Sequence, residues 1–329
     1  YRDRMKSLVI HELGNLDALT VEERPSPVLT DGQVRVKVSA CGLNYVDALM
    51  IEGRYQIKPQ VPWSPGSEIT GTVTETGPGV DASLLGRRVF VPVGAGGFSD
   101  EVVTAANRML PIPDSLSDGQ GATFMQSYLT AWFAFTHRTT QEAGRTMLVL
   151  GAGGGVGLAA VDVGVALGLR VIAGASSEEK RRLALDRGAF AAVDVLNDDV
   201  KAKVRELAGG GVDIVYDPVG GDLAEPCLRA LNAHGQYMVV GFVAGIPRLP
   251  ANFVLLLNRT VVGVDWGAWV GRNQAENQVM LREVMERIVA GTLHPVEPVP
   301  YPMSRAVDAL RDMQNRRVVG KVALVPDFG

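Results

Sequence analysis

The spacing of apolar positions changes once along this chain, and the change divides it. From Lys6 to about residue 110, apolar residues alternate with polar ones or fall in short β-branched runs. Val34, Val36 and Val38 alternate with Arg35 and Lys37, residues 71–75 read GTVTE, and residues 88–91 read RVFV after a turn. A period of two predicts half-buried strands. Asp31-Gly32, Gly77-Pro78-Gly79 and the glycines from Gly94 to Gly97 punctuate them as turns. Residues 6–110 are therefore predicted to be all-β, barrel-like or sandwich-like.

Pro111-Ile112-Pro113-Asp114 marks the change. Residues 122–138 have helical spacing, and from there short apolar runs alternate with helical segments. Strands are predicted at 147–150, 171–173, 192–194, 212–216, 236–240 and 260–264. Helices are predicted at 158–167, from a Ser176/Glu179 capping box to Arg187, at 198–208 and near 223–231. This alternation argues for a parallel, doubly wound sheet, so the fold class is α/β. Leu281, Val284, Met285, Ile288 and Val289 mark the core face of a late helix. Residues 321–325 form a last strand able to rejoin the first domain.

One stretch carries chemistry. Residues 146–157 read TMLVLGAGGGVG: an apolar strand, a glycine turn and a helix start. That context is what a dinucleotide-binding fingerprint requires, although a glycine-rich loop of another α/β protein is the plainer alternative. In the dinucleotide reading Ala152 takes the tight turn, Gly154 lets a pyrophosphate approach, and Gly157 lets the helix pack closely. Gly155 and Val156 add N–H groups at the positive helix end.

Composition narrows the classes. With 329 residues, two domains are expected. The net charge is −4 and no basic block occurs, so neither nucleic acid nor an anionic membrane is an expected partner. No run has the length of a membrane span, and the first residues lack a signal-peptide core. Met5 reads as a natural start, with residues 1–4 an extension or remnant. Cys41 and Cys227 are the two cysteines, which excludes a disulfide framework or a cysteine-rich zinc site. The expected location is the cytoplasm.

A family resemblance rests on residues 40–47 (ACGLNYVD), Pro65-Gly66-Ser67-Glu68, Leu129-Thr130-Ala131, the glycine turn, residues 217–221 (DPVGG) and Val318-Val319-Gly320-Lys321. Over essentially its whole length the chain resembles the medium-chain dehydrogenase/reductase superfamily. Within it, the chain resembles the zinc-free quinone oxidoreductase, or zeta-crystallin-like, branch. The resemblance implies a GroES-like β-rich catalytic domain of residues 1–124 and 267–329 around a Rossmann domain of residues 125–266. It also implies a homodimer, with residues 260–264 as the candidate edge strand. Zinc members of the superfamily carry a cysteine where this chain has Asn44 and a histidine where it has Ser67. Neither replacement suits catalytic zinc, so no metal is expected. Without a Lewis acid, hydride delivery to an already activated electrophile is the easier chemistry.

NAD-specific sites end the second strand with an acid. Here Ala173-Gly174-Ala175-Ser176-Ser177 has none, and Lys180 and Arg181 follow. Gly174, Ser176, Ser177 and Lys180 are thus candidates to hold a 2′-phosphate, which makes NADPH the expected cofactor. The alternative is that Lys180 and Arg181 pair with nearby glutamates on a solvated helix. By resemblance, Arg316 reaches the same phosphate, and Thr130, Val219, Gly241, Phe242, Val243, Trp266 and Gly267 line the cofactor. Phe242 and Trp266 serve equally well as core or interface aromatics.

The same resemblance makes Asn44 and Tyr55 the catalytic candidates, as a donor to a carbonyl oxygen and as a donor or proton source. Plain loop bonding is the alternative for both, and Asp47 is read as a loop anchor. The leading expectation is an NADPH-dependent reductase of a quinone or similar carbonyl. Reduction of an activated C=C bond in an enoyl thioester, enone or unsaturated acid is a second possibility. A non-catalytic nucleotide-binding or RNA-associated protein is a third, which the acidic balance disfavours.

Overall fold

The computed structural model of the chain describes residues 4–139 and 142–328. Tyr1, Arg2 and Asp3 of the leading extension lie outside the described residues, and Arg4 opens the first strand. In chain order the first elements are β1 (Arg4–Val9), β2 (Thr20–Pro25), β3 (Gln33–Leu43), α1 (Tyr45–Ile51), β4 (Ile69–Thr76), β5 (Arg88–Val91), β6 (Glu101–Ala105) and β7 (Leu110–Pro111). There follow α2 (Asp118–Thr123), α3 (Met125–His137), β8 (Thr146–Leu150), α4 (Gly155–Ala166), β9 (Arg170–Ala175), α5 (Glu178–Asp186), β10 (Ala191–Asp194) and α6 (Val200–Ala208). The rest are β11 (Val212–Asp217), α7 (Ala224–Ala230), β12 (Leu231–Val239), α8 (Ala251–Leu255), β13 (Thr260–Gly263), α9 (Trp266–Val270), α10 (Gln274–Val289), β14 (Val299–Pro302), α11 (Ala306–Gln314) and β15 (Val322–Val325).

The chain divides into two compact units, residues 1–125 with 296–329, and residues 126–295. Residues 267–295 thus belong to the second unit, a correction to their expected place in the β-rich domain. Their contacts give the reason. The Trp269 ring lies 5.0 Å from that of Phe133 in α3, and the Arg287 guanidinium sits 4.6 Å from the Trp132 ring centroid. At the segment's end, the backbone N–H and ring of His294 both meet the Asp162 carboxylate of α4. Leu281, Val284, Met285 and Ile288 of α10 are buried as the pattern requires, whereas Val289 is exposed.

The first unit is built on β3. Its sheet runs β14-β15-β3-β4-β5-β7, and β6 pairs with the opening half of β3. Val34, Val36 and Val38 face the core with Ile69, Val89, Phe98 and Leu324. After a register shift between Val38 and Ala40, residues 40–43 are all buried, and β3 delivers the chain directly to Asn44. The all-β expectation for this stretch misses α1, a helix of 7 residues that Asn44 caps. The helix expected at 122–138 is interrupted between α2 and α3 at Phe124, whose ring packs on Phe90.

The second unit carries a six-stranded, wholly parallel sheet in the order β10-β9-β8-β11-β12-β13. Counted from β8, this is the doubly wound order 3-2-1-4-5-6. β8 is buried at every residue, as a central strand should be. The β10, β11 and β12 side pairs Val193, Val215 and Tyr237 with Val200 and Val204 of α6 and Leu228 of α7. β13 ends the sheet, with no further strand beside it among the described residues. No helix among the described residues is long and apolar enough to cross a membrane.

Candidate active site

Ligands of an open parallel sheet lie at strand carboxyl ends where the strand order reverses, here between β8 and β11. β8 leaves the sheet through Gly151, whose φ of 61° is left-handed. Gly151, not Ala152, therefore makes the sharp turn, which corrects the role expected of Ala152. An alanine is comfortable at 152, where its N–H donates to the Gly174 carbonyl at 3.1 Å.

The two fingerprint glycines answer to different demands. A Cβ on Gly157 would lie 2.2 Å from the Gly151 carbonyl oxygen, so the fold itself forbids a side chain there. A Cβ on Gly154 would meet nothing nearer than that same oxygen at 3.5 Å, an ordinary contact. Its φ of −99° and ψ of 168° also suit any residue. Nothing inside the protein requires glycine at 154. What the glycine does is keep the start of α4 bare. The N–H groups of Gly155, Val156 and Gly157, first in the helix, have no intrahelical acceptor and carry the positive end of its dipole. That is a cradle for phosphate.

β9 ends beside this turn at Ala175, and Ser176-Ser177 follow. Ser177, not Ser176, caps α5, accepting the Lys180 N–H at 3.3 Å, so the capping box expected at Ser176/Glu179 gives way to a simple serine cap one residue on. A Cβ on Gly153 would lie 2.3 Å from the Lys180 Cβ, so the stem of Lys180 rests on the glycine turn. Arg181 turns away, with Nη1 3.0 Å from Asp194 Oδ2 and donating to the Ala175 carbonyl at 3.3 Å. The two cations that sequence pairs together thus part, and Lys180 stays with the turn. Gly174 belongs to the frame, since its Cβ would sit 3.0 Å from Leu150 Cδ2 and 3.2 Å from Val195 Cγ1.

Across the reversal point, β11 ends at Asp217. Its Oδ1 accepts the N–H groups of Val219 and Gly220, each at 2.8 Å, and the Tyr237 hydroxyl donates to Oδ2. Burial pushes this carboxyl up, and the three donors oppose the shift. The anchored turn sets Val219 against Gly151, with Cγ2 3.0 Å from where a Gly151 Cβ would be. Gly241 backs the same turn, since its Cβ would meet the Pro218 carbonyl at 3.0 Å. Phe242 and Val243 project from it, both exposed. The Thr130 hydroxyl donates to Gln126 in its own helix at 2.6 Å, and the Trp266 indole to Asn277 at 3.0 Å. Gly267 is exposed near the start of α9.

Asn44, Tyr55 and Arg316 belong to the first unit. Arg316 follows α11 in a left-handed conformation, φ 59°, and is exposed. Tyr55 follows the left-handed Gly53 that ends α1, and its N–H returns to the Leu49 carbonyl at 3.1 Å. Asn44 and Tyr55 thus sit at opposite ends of α1, about 10 Å apart along its axis.

Asn44 is the centre of a buried polar cluster. Its Oδ1 accepts from Lys321 Nζ at 2.7 Å, its Nδ2 donates to Glu68 Oε1 at 2.9 Å, and its N–H donates to Asp47 Oδ2 at 2.8 Å. Asn44, Asp47, Glu68 and Lys321 are all buried. Burial pushes the Asp47 carboxyl up to about 7, against the Asn44 and Gly66 N–H groups. Glu68 adds to that rise and Lys321 counters it. Burial lowers Lys321, and Glu68 and Asp47 hold it up. Cys41 nearby is buried, its thiol pushed well up by burial, which makes it inert. Asp47 anchors the head of α1. Glu68 and Lys321 enter the sequence reading only as carriers of a resemblance. The signal that was available is a lysine directly before four apolar strand residues, a setting in which a lysine seldom lies unless it is paired.

Residues 30–114 match the family model of the alcohol dehydrogenase GroES-like domain, and residues 155–286 that of the zinc-binding dehydrogenase. Quinone oxidoreductase-like protein 2 of Bos taurus is 37% identical over 93% of this chain and 88% of its own length. The quinone oxidoreductase of Rattus norvegicus is 31% identical over 98% of each chain. A mycobacterial protein whose structure was solved in complex with NADPH superposes with a TM-score of 0.86 at 28% identity, covering 98% of this chain and 100% of that one. The zinc in the family model's description does not fit the donors present. Asn44 and Ser67 offer an amide and a hydroxyl, and no group of three or more His, Cys, Asp or Glu gathers as a metal site among the described residues.

Proposed function

This chain belongs to the medium-chain dehydrogenase/reductase superfamily, in its zinc-free quinone oxidoreductase branch, and we propose that it is an NADPH-dependent reductase of quinones or similarly electrophilic carbonyls. One observation carries the reading: the bare N-terminus of α4 adjoins the end of β9, where serines instead of an acid follow Ala175. The mycobacterial relative's NADPH complex supports the same cofactor.

NADPH, when bound, supplies a hydride. The chain's own residues bind and orient. The N–H groups of Gly155, Val156 and Gly157 hold the pyrophosphate. Ser176 and Ser177 donate to the 2′-phosphate and Lys180 neutralises it, where an acid would repel it. Asn44 has a second Nδ2–H beyond the one given to Glu68, and that hydrogen donates to the substrate oxygen as it becomes anionic. In a quinone the negative charge spreads through the ring to the second oxygen, so an amide donor suffices where an alcohol would need a Lewis acid.

The test is the initial rate of NADPH oxidation, with NADH in parallel, against ortho- and para-quinones and against enoyl thioesters and small enones. Quinone turnover with NADPH preferred is the expected result. Turnover of enones alone would move the chain to the double-bond reductases, with Tyr55 as the acid to test. NADPH binding with no turnover of either set would overturn the catalytic reading.

A further inference from the structure

Lys321 has no part in the chemistry above, yet it is buried against its central residue. The contact is fixed by the sheet. β15 runs antiparallel to β3 with Val322 opposite Leu43 and Ala323 opposite Gly42, so the next step of the register brings Lys321 to Asn44. An ammonium only donates and an ionised carboxylate only accepts. The atom facing Lys321 must therefore be the amide oxygen, and the one facing Glu68 the amide nitrogen, which leaves no freedom for an amide flip.

We propose that Lys321 is a positioning residue that orients and polarises Asn44, so that this site presents a single N–H donor and accepts a substrate oxygen only as a bare acceptor. The inference deepens the carbonyl-reductase reading and rests on it for the identity of the substrate. An ammonium on the amide oxygen draws electron density from the nitrogen and strengthens its remaining N–H, as chained hydrogen bonds polarise one another. A hydroxyl seeking an acceptor finds the Asn44 oxygen already held by a cation. The site thus favours ketone and quinone oxygens over alcohols, by charge and geometry together.

The experiment is a double-mutant cycle with a spectroscopic readout. Asn44→Ala is expected to lower kcat for a quinone about 100- to 1000-fold, as loss of an oxyanion donor does. Lys321→Met is expected to lower it about tenfold alone, the scale of one charge-assisted hydrogen bond, and to add nothing on the Asn44→Ala background. KM for NADPH stays unchanged in all three variants. With asparagine-selective ¹⁵N labelling, the Asn44 side-chain amide, assigned by its loss in Asn44→Ala, moves upfield in Lys321→Met. Additive losses of kcat, or an unmoved amide signal, would overturn the proposal. Should wild-type protein turn over no quinone, the carbonyl-reductase reading fails while the amide signal still judges Lys321. If Lys321→Met does not fold, Lys321→Gln, which keeps a neutral donor without the charge, gives the same cycle and the same spectrum: coupling to Asn44 with a shifted amide supports the proposal, and additivity or an unmoved amide overturns it.

Discussion

Gly154 and Gly157 lie three residues apart in one turn and respond to opposite sides of it. Gly157→Ala drives a Cβ toward a carbonyl oxygen 2.2 Å away, so the turn must open. It is expected to lose about 2 kcal/mol or more of stability, read as a lower urea midpoint. Gly154→Ala meets no such contact. A poorer N-cap is offset by a less flexible unfolded chain, so its stability stays within about 1 kcal/mol of wild type. Its Kd for NADPH, measured by calorimetry, is expected to weaken at least about tenfold, because the new methyl occupies the space a phosphate needs. The spacing of glycines identified the turn but assigned the sharp bend to Ala152, since only the backbone reveals that Gly151 takes the positive φ. Asp47 makes a separate prediction. Its carboxyl is raised to about 7 when folded, from about 4 when unfolded. Below the unfolded value its proton is bound in both states, and its contribution is fully present there. As pH rises through the folded value the proton leaves, a charge stays buried beside Glu68, and that contribution is lost. Urea midpoints across this window should therefore fall with rising pH more steeply in wild type than in Asp47→Asn.

At the scale of elements, periodicity was a good guide wherever a segment buries one consistent face. The alternation at 34–38 is the core of β3, and the apolar runs near 148, 172, 214 and 238 are the strands of the parallel sheet. It failed where an element is short or where tertiary contacts choose the boundary. α1 spans two turns between a strand and a loop, too brief for a helical period to show, and its signal is the Asn44/Asp47 pair at its head. Ser176 and Ser177 are equally good caps by type, and only the structure shows that the Ser177 side chain takes the Lys180 N–H. The candidate site divides the same way. Its cofactor half is local in sequence and was legible as strand, turn and helix. The contact between Lys321 and Asn44 spans 277 positions and exists only through the register of β15 on β3, which no local pattern encodes.

At the scale of the molecule, the two units differ in how the chain completes them. Residues 126–295 form one continuous segment, whereas the first unit needs residues from both ends. β15 sits inside the first unit's sheet, between β14 and β3, and supplies Lys321 to the polar cluster. The tail strand could be read from its apolar run, but the return point near 295 could not, because the apolar stripe of α10 fits either core. A consequence is testable by truncation. Residues 126–295 alone carry the whole parallel sheet, its core and every proposed phosphate contact except Arg316, so this fragment should melt cooperatively by circular dichroism. Residues 1–295 lack β14, β15 and α11, leaving β3 an open edge and Asn44 without its cation, and the first unit should lose its transition. Titration of the short fragment with NADPH and NADH then locates cofactor choice. If Ser176, Ser177 and Lys180 make the selection, the fragment keeps the full preference for NADPH, by roughly tenfold or more for a charge-assisted phosphate contact. Loss of the preference with binding retained would transfer the selection to Arg316.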